Sequence, residues 1–330
     1  MSYFQPPHAP DAAIEVEGLT KVYRPASRKP EAAPKRPALD GIDLTIPRGS
    51  FFALLGPNGA GKSTFINILA GLVVKSAGTA RIWGYDIEAD MRAARRCIGV
   101  VPQELNLDPF FTPREMLELT AGLYGIPPEA RRTDAVLEAV GLADKADAYA
   151  RSLSGGMRRR LLVGKAMVHQ PPVLILDEPS AGIDVDLRRQ LWTHVRELNA
   201  AGTTVLLTTH YLEEAEAMCD TIAIINHGQL IACEPTGDLL ARLDSKQITI
   251  TVDADMTGVP ATMADLHAEL DGPRRLCVGF APSRVTSGQV LAVVGQAGLG
   301  IVDVTTREAD LEDIFVSLTH ADDAGRRAAE

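Results

Sequence analysis

The sequence has few cysteines, few aromatic residues and no excess of basic charge. Four cysteines occur in 330 residues, all in apolar stretches and none in a Cys-x-x-Cys pair. We therefore expect reduced, buried thiols in a reducing compartment rather than a disulfide framework. A net charge of −10 argues against a general nucleic-acid-binding protein, which carries a basic stripe. No nucleic-acid partner is expected.

Long hydrophobic runs are also missing. No stretch approaches the ~20 apolar residues that a membrane span needs, and the best candidate, residues 290–302, is interrupted by glycines and Gln296. The first residues lack the basic and apolar segments of a secretory signal. We expect a cytoplasmic chain that does not itself cross a bilayer. Its length and 46% hydrophobic content suit one large α/β domain and a smaller one.

A glycine-rich loop stands between two apolar runs, residues 51–55 and 65–70. This order predicts a strand, a phosphate-binding loop and a helix, whose N-terminus favours anions. The lysine of the loop would reach the β- and γ-phosphates of a nucleotide, and the serine hydroxyl would ligate Mg²⁺. The loop consists of Gly56, Pro57, Asn58, Gly59, Ala60, Gly61, Lys62, Ser63 and Thr64.

Two acidic residues, Asp177 and Glu178, follow the apolar run 173–176. At the end of a buried strand, Asp177 can hold Mg²⁺ and Glu178 can polarise an attacking water molecule. A strand-ending turn is the alternative for such a short pattern. The glycine-rich loop upstream favours the catalytic interpretation.

A serine and two glycines, Ser154, Gly155 and Gly156, precede a helical pattern. The free N–H groups at such a helix start can bind an anion. An ordinary serine N-cap is the alternative.

The order of these motifs resembles the ATP-binding subunit of an ABC transporter over residues 14–243. The resemblance implies that residues 56–64 are the Walker A loop, 153–157 the signature and 173–178 the Walker B strand. It further implies three catalytic residues: Gln103 of the Q loop, also a ligand of Mg²⁺; Asp184 of the D loop; and the switch histidine, His210. Met157 departs from the family's commonest signature, which has glutamine at this position.

Three residues have ordinary alternatives to the roles that the resemblance implies. Tyr23 stands where the family stacks an aromatic ring on adenine, but it is also compatible with a surface tyrosine. His210 would sense the γ-phosphate, whereas a lone histidine is more often a core residue. Gln103 ends a strand pattern where a hinge is expected, although any exposed polar residue fits there.

The fold class expected from the pattern and the resemblance is an α/β P-loop NTPase with a helical signature subdomain at about 104–165. We expect a flexible tail at residues 1–13, the ATPase domain at 14–243 and a small α+β accessory domain at 244–330. In the accessory domain, strands are predicted near 247–252, 276–280 and 300–305. Helices are predicted near 263–270, 287–296 and 309–318.

The resemblance also implies a mechanism and partners. Two such chains dimerise head to tail around ATP and Mg²⁺, as a homodimer or as a heterodimer with a similar ATPase, and move an integral membrane permease. The permease would dock near Gln103 and residues 105–111, which places the chain on the inner face of the plasma membrane. The signature and the segment 310–315 resemble exporter ATPases of the drug, antibiotic-resistance and polysaccharide type. An importer ATPase and a soluble ATPase of the same superfamily remain alternatives.

Overall fold

The computed structural model describes residues 10–23, 36–104, 106–182, 185–242, 246–260, 263, 266–308 and 310–329. The chain divides into two compact units, Met1–Glu234 and Pro235–Glu330. The sequence analysis placed this boundary after residue 243. The difference arises at helix α8 (Thr236–Ala241), which contacts the C-terminal helix α10 (Leu311–Ala329) and so belongs to the second unit.

An antiparallel four-stranded sheet begins the first unit. It consists of β1 (Ala12–Lys21), β2 (Leu39–Pro47), β4 (Ala77–Ile82) and β5 (Tyr85–Asp86), in the order β2-β1-β4-β5. Along β2, the apolar residues Ile42, Leu44 and Ile46 are buried and alternate with exposed neighbours. This period of two is typical of a sheet with one covered face.

A six-stranded sheet forms the centre of the first unit. Its strands are β3 (Phe51–Leu55), β6 (Ile98–Val101), β7 (Val173–Asp177), β8 (Thr204–Thr208), β9 (Thr221–Asn226) and β10 (Gln229–Pro235). The order is β10-β9-β3-β8-β7-β6, and the pairs β6–β7, β7–β8, β8–β3 and β3–β9 are parallel. Every residue of β3 and β8 is buried, which confirms that these continuous apolar runs are strands covered on both faces. Their carboxyl ends meet at one edge.

Seven α-helices accompany these sheets in the part of the first unit that the structure describes. They are α1 (Lys62–Leu69), α2 (Met91–Arg96), α3 (Pro113–Leu123), α4 (Thr133–Ala139), α5 (Gly155–Met167), α6 (Val185–Ala200) and α7 (Leu212–Met218). Helix α3 starts in a capping box, in which the Thr112 hydroxyl and the Glu115 carboxylate each accept a backbone N–H. Helices α3, α4 and α5 share a separate apolar core that includes Leu117, Leu137 and Leu161.

The second unit contains α8, a four-stranded antiparallel sheet, a helix and α10. The sheet consists of β11 (Lys246–Val252), β12 (His267–Leu270), β13 (Arg275–Phe280) and β14 (Ile301–Glu308), in the order β12-β13-β11-β14. Helix α9 (Ser287–Gln296) contributes Val290 and Val294 to a core with Ile250 and Val278. Helix α10 is the longest, with 19 residues. Within the described ranges, no helix combines the length and the apolar composition that a membrane crossing requires.

The expected helix at 263–270 is wrong where the structure describes it. Residues 267–270 form strand β12, which pairs antiparallel with β13. Leu266 and Leu270 lie four residues apart, which also fits a helix, but Leu266, Ala268 and Leu270 alternate as in a strand. These three pack on the core of the second unit, so the period of two prevails because a sheet edge is available for pairing.

The four cysteines form no disulfide, and two of them are less buried than expected. Cys97 and Cys219 are buried, as predicted, whereas Cys277 is half-buried and Cys233 is exposed. Cys233 lies on β10, which is an edge strand of the six-stranded sheet. An edge strand has a neighbour on one side only, so an apolar residue there keeps solvent contact.

Candidate nucleotide-binding site

The glycine-rich loop leaves β3 and enters α1, as the sequence predicts. A Cβ at Gly56 would lie 2.2 Å from the carbonyl oxygen of Ile225 on β9, so only glycine fits where the loop leaves the sheet. Gly61 is the N-cap of α1, and Lys62 is its first residue. The free N–H groups of this helix start therefore lie in the loop, where a phosphate group is favoured.

The Lys62 ammonium lies over the loop. Its Nζ donates to the carbonyl oxygens of Gly56 at 2.6 Å and Pro57 at 3.2 Å. Burial lowers the pKa of Lys62, and the carboxylates of Glu178 and Asp177 oppose this shift. The lysine thus stands between the loop and the two acids at the end of β7.

Asp177 is held by a residue that the sequence analysis did not single out. The Thr208 hydroxyl, at the end of β8, donates to Asp177 Oδ1 at 2.6 Å. Burial raises the pKa of Asp177, while the Thr208 hydrogen bond lowers it. Thr208 therefore fixes the orientation of the carboxylate and favours its charged form.

Glu178 has an unusual backbone conformation, with a φ of 47°. Its N–H reaches both the carbonyl oxygen and the hydroxyl of Thr208, at 3.0 and 3.2 Å. A left-handed conformation is uncommon for a residue other than glycine, and such conformations concentrate at functional sites. The two hydrogen bonds to Thr208 hold the Glu178 backbone in this conformation.

The Glu178 carboxylate meets two other predicted site residues. Gln103 Nε2 donates to Glu178 Oε2 at 2.8 Å, and His210 Nδ1 lies 3.5 Å from the same oxygen. The Glu178 side chain is 16% exposed, whereas that of His210 is 52% exposed. A core histidine is thus excluded for His210. The three residues come from the ends of β6, β7 and β8, which are neighbours in the sheet.

A cavity of about 540 Å³ collects most of the predicted nucleotide-binding residues. Its lining consists of Ala38, Asn58, Gly59, Ala60, Gly61, Lys62, Ser63, Thr64, Gln103, Glu178 and His210. The Tyr23 hydroxyl lies 3.4 Å from the Thr64 hydroxyl, beside this lining, with its ring 42% exposed. The Lys21 ammonium stands 4.9 Å from the ring centroid. An exposed ring next to the loop is compatible with stacking on a base.

The signature residues are not brought into this cavity. Ser154 is the N-cap of α5 and accepts the N–H of Met157 at 3.2 Å. Among the described residues that line the cavity, Ser154, Gly155 and Gly156 are absent. Asp184 lies outside the described residues, and its assignment stays a prediction.

Two buried charged side chains organise the site, and the sequence analysis missed both. Glu214 accepts hydrogen bonds from the hydroxyls of Ser180 and Thr209, at 2.7 and 3.0 Å, and so ties the segment after Glu178 to the one before His210. Arg159 of α5 donates to backbone carbonyls beside Gln103. No sequence signal separates Glu214 from Glu213, or Arg159 from its arginine neighbours.

The geometry agrees with comparisons to known proteins. The family model described as "ABC transporter" matches residues 39–181. Nod factor export ATP-binding protein I of Ralstonia nicotianae is 36% identical over 97% of this chain and 98% of its own length. The daunorubicin/doxorubicin resistance ATP-binding protein of Streptomyces peucetius is also 36% identical, over 94% of this chain and 93% of that protein. The linearmycin resistance ATP-binding protein of Bacillus subtilis is 36% identical over 93% of this chain and 98% of its own length.

Solved structures show the same fold. An ATP-binding subunit of an ABC transporter superposes with a TM-score of 0.61 at 29% identity and covers 70% of this chain and 92% of that one. A dimeric ATP-binding cassette, solved in a post-hydrolysis state with ADP and Pi, gives a TM-score of 0.59 at 27% identity. It covers 68% of this chain and 98% of its own.

The glycine-rich loop, the paired acids at the end of β7 and the family match thus define a P-loop ATPase of the cassette type. The chain belongs to the ATP-binding subunits of ABC transporters, and its relatives are exporter ATPases of the drug-resistance type. It is an ATP-binding and ATP-hydrolysing protein.

Proposed function

We propose that this chain powers the export of a hydrophobic compound, drug or polysaccharide through a separate membrane permease. The convergence of Gln103 and His210 on one oxygen of Glu178, at the wall of the cavity lined by the glycine-rich loop, is the observation that carries the proposal. Relatives named for Nod factor export and drug resistance favour export over the importer and soluble-ATPase alternatives.

The residues around the cavity have different roles in hydrolysis. Lys62 and the N–H groups of the loop bind the phosphates. Glu178 accepts a proton from the attacking water molecule or orients it. The imidazole of His210, exposed and 3.5 Å from Glu178 Oε2, is proposed to contact the γ-phosphate.

Mg²⁺ fits the side chains at the end of β7. Ser63 lines the cavity, and Asp177 is oriented by Thr208, so a hydroxyl and a carboxylate oxygen are offered, the ligands that this ion prefers. We infer that Ser63, Asp177 and the Gln103 side chain hold the ion. When bound, it neutralises charge on the β- and γ-phosphates.

We further infer that ATP joins two copies of the chain. The signature residues Ser154, Gly155 and Gly156 form a helix start that does not line the chain's own nucleotide cavity in the part that the structure describes. Such a start binds an anion, and the γ-phosphate on a second subunit is the anion that the mechanism supplies. A dimeric relative supports this arrangement. The partner is a second copy or a similar ATPase.

Mixed dimers test the shared site. A Ser154→Arg chain and a Lys62→Ala chain are each expected to be inactive alone. In the mixed dimer, both defects fall into one site, and the other site keeps an intact loop and an intact signature. Recovery of part of the ATPase activity on mixing is the expected result. No recovery, together with monomeric behaviour of Glu178→Gln in ATP by gel filtration, would contradict the dimer.

The permease is proposed to dock on an apolar surface next to the Q loop. A cavity of about 340 Å³ is lined there by residues that include Leu72, Pro102 and Tyr124. Leu72 is 76% exposed, and on the same unit Phe110 is 70% exposed. Exposed large apolar side chains of this kind mark interaction sites. This docking would hold the chain at the inner face of the plasma membrane.

Capture from membranes tests the docking and the direction of transport. The tagged chain is expected to retain a multi-span permease in mild detergent, and Phe110→Glu is expected to lose it while keeping ATP binding. In inverted vesicles that contain both subunits, ATP should drive accumulation of daunorubicin as a probe. A secreted binding protein required for ATPase stimulation would support import instead.

The predicted ATPase and accessory domains are proposed to have different roles. Residues 14–243 carry every residue assigned to ATP, whereas 244–330 form an accessory domain. Tyr23 is assigned to adenine, because its exposed ring lies beside Thr64. Tyr23→Ala is expected to weaken the binding of ATP and GTP alike, since stacking on a purine discriminates little between bases.

A further inference from the structure

Helix α5 connects two parts of the proposed machinery. Ser154 caps its N-terminus, and Arg159 stands on its second turn, only 3% exposed. The Arg159 guanidinium donates from Nη1 to the carbonyl oxygen of Pro102 at 2.8 Å and from Nη2 to that of Gln103 at 2.9 Å. A side chain of the signature helix thus holds the backbone of the Q loop.

The helix and the strand that precedes the Q loop are in close contact. A Cβ at Gly99 of β6 would lie 2.3 Å from the carbonyl oxygen of Ala166 on α5. The closeness of the two backbones leaves little room for sliding between them. Arg159 extends this contact from β6 to Gln103.

The burial of Arg159 is costly. Its Nε has no hydrogen-bond partner, and no carboxylate among the described residues forms an ion pair with it. Burial accordingly lowers its pKa. Two neutral carbonyls compensate a buried cation incompletely, and an apolar side chain of similar volume is often as stable. Stability therefore does not explain an arginine at this position.

We propose that Arg159 is a positioning residue that sets the Q loop so that the Gln103 amide reaches Glu178. The planar guanidinium spans two successive carbonyls and so fixes both the place and the tilt of this peptide. The inference rests on the proposed function in one respect: the signature at the start of α5 contacts the ATP of the partner. Movement of α5 then reaches the catalytic carboxylate of the other site through Arg159 and Gln103.

Arg160 offers a matched control on the same helix. Its Nη1 also donates to two successive carbonyl oxygens, those of Val140 at 3.0 Å and Gly141 at 2.9 Å, and its Nε also lacks a partner. These carbonyls lie at the end of α4, away from the Q loop in sequence. The two arginines thus hold different segments, and Arg160 is half-buried whereas Arg159 is buried.

Hydrogen exchange of the nucleotide-free full chain tests the contact directly. Arg159→Met should raise the exchange rates of the Gln103 and Glu104 amides about tenfold or more, because their segment loses its anchor. Arg160→Met should leave these amides unchanged and affect those near residue 141. Unchanged exchange at 103 and 104 in Arg159→Met would overturn the proposal.

Steady-state ATPase kinetics test the functional consequence. Arg159→Met should lower kcat about tenfold while the KM for ATP stays within about twofold, because the loop and Lys62 are untouched. Since Arg159 acts through the Gln103 side chain, Arg159→Met should have no further effect in a Gln103→Ala background. Fully additive losses, or an equal loss in Arg160→Met, would contradict the proposal.

Arg159→Lys gives a second test that keeps the charge. One ammonium cannot reproduce the two-pronged contact, so the expected kcat and exchange rates lie between those of the wild type and Arg159→Met. If the methionine variant does not fold, the same measurements on the lysine variant decide the matter. A wild type that shows no ATP-dependent dimer would contradict the proposed function alone, because the exchange measurement needs no nucleotide.

Discussion

The carboxyl edge of the six-stranded sheet holds charged side chains that are buried or half-buried, whereas the core of the second unit is apolar. At the sheet edge, Lys62, Asp177 and Glu178 are buried or half-buried within reach of one another. The core of the second unit contains apolar side chains, among them Ile250 and Val290. Buried charges cost stability and are retained where chemistry needs them. We therefore expect changes at the first place to alter activity and changes at the second to alter stability.

Removal of the Glu178 carboxylate, the proposed catalytic group, should produce the largest difference. Glu178→Gln keeps the shape and an acceptor for Gln103 Nε2, but it loses the charge that activates water, so turnover should fall by roughly three orders of magnitude or more. The variant should still bind ATP. Single-turnover hydrolysis measures the loss, and Glu213→Gln, an exposed glutamate on α7, is the control. Turnover within tenfold of the wild type would remove Glu178 from the catalytic role.

Truncation in the second core should act on stability instead. Ile250 is fully buried in the middle of β11, so Ile250→Ala should cost about 2–5 kcal/mol of unfolding free energy in this unit. Exchange protection of β11 and β13 amides measures it. Val302→Ala, at a residue 66% exposed, should change stability by less than about 0.5 kcal/mol. If Ile250→Ala lowered ATP affinity as well as stability, it would contradict this contrast between the two places.

Loss of the loop lysine should weaken ATP binding more than it alters folding. Lys62→Ala removes a charge-assisted phosphate contact worth roughly 1.5–3 kcal/mol. Equilibrium binding of ATP should show a correspondingly higher Kd, with a melting temperature near that of the wild type without nucleotide. Lys145→Ala, at an exposed residue of the helical subdomain, should bind ATP as the wild type does. Unchanged affinity in Lys62→Ala would argue that the ammonium does not reach the phosphates.

A buried histidine should give the first unit a pH-dependent stability. His169 stacks on Tyr124 at 3.6 Å and donates Nε2–H to the Ile98 carbonyl. Burial lowers its pKa to about 4. Because the unfolded chain binds the proton more readily between pH 4 and 6.5, the free energy of unfolding should fall by about 2 kcal/mol from pH 7.5 to pH 5.

Two histidine variants separate this effect from others. In His169→Gln, the free energy of unfolding of the first unit, measured by chemical denaturation, should fall less over the same pH range. His267 lies in the second unit, so His267→Gln is the control and should keep the wild-type slope of the first unit. Carboxylates with lowered pKa values, such as Glu118 beside Arg131, lose stability only at lower pH. An unaltered slope in His169→Gln would contradict the assignment.

The sequence predicted what backbone geometry and local pattern determine. The glycine-rich loop and the parallel strands were found because a phosphate cradle needs glycine and because doubly covered strands are continuously apolar. Strand β12 was missed because Leu266 and Leu270, four residues apart, fit a helical period as well as a period of two, and only the edge of β13 decides between the two. Thr208, Glu214 and Arg159 were missed because their contacts join segments 31 to 57 residues apart. Their importance depends on which segments the fold brings together.

The left-handed backbone of Glu178 has an evolutionary consequence. Glycine and asparagine adopt this conformation more readily than glutamate does, so Glu178→Gly should relieve strain while it abolishes turnover. Stability and activity are thus opposed at this single position. Folding stability alone does not favour glutamate at this position. In a relative that no longer hydrolyses ATP, we therefore expect position 178 to be among the first site positions to change.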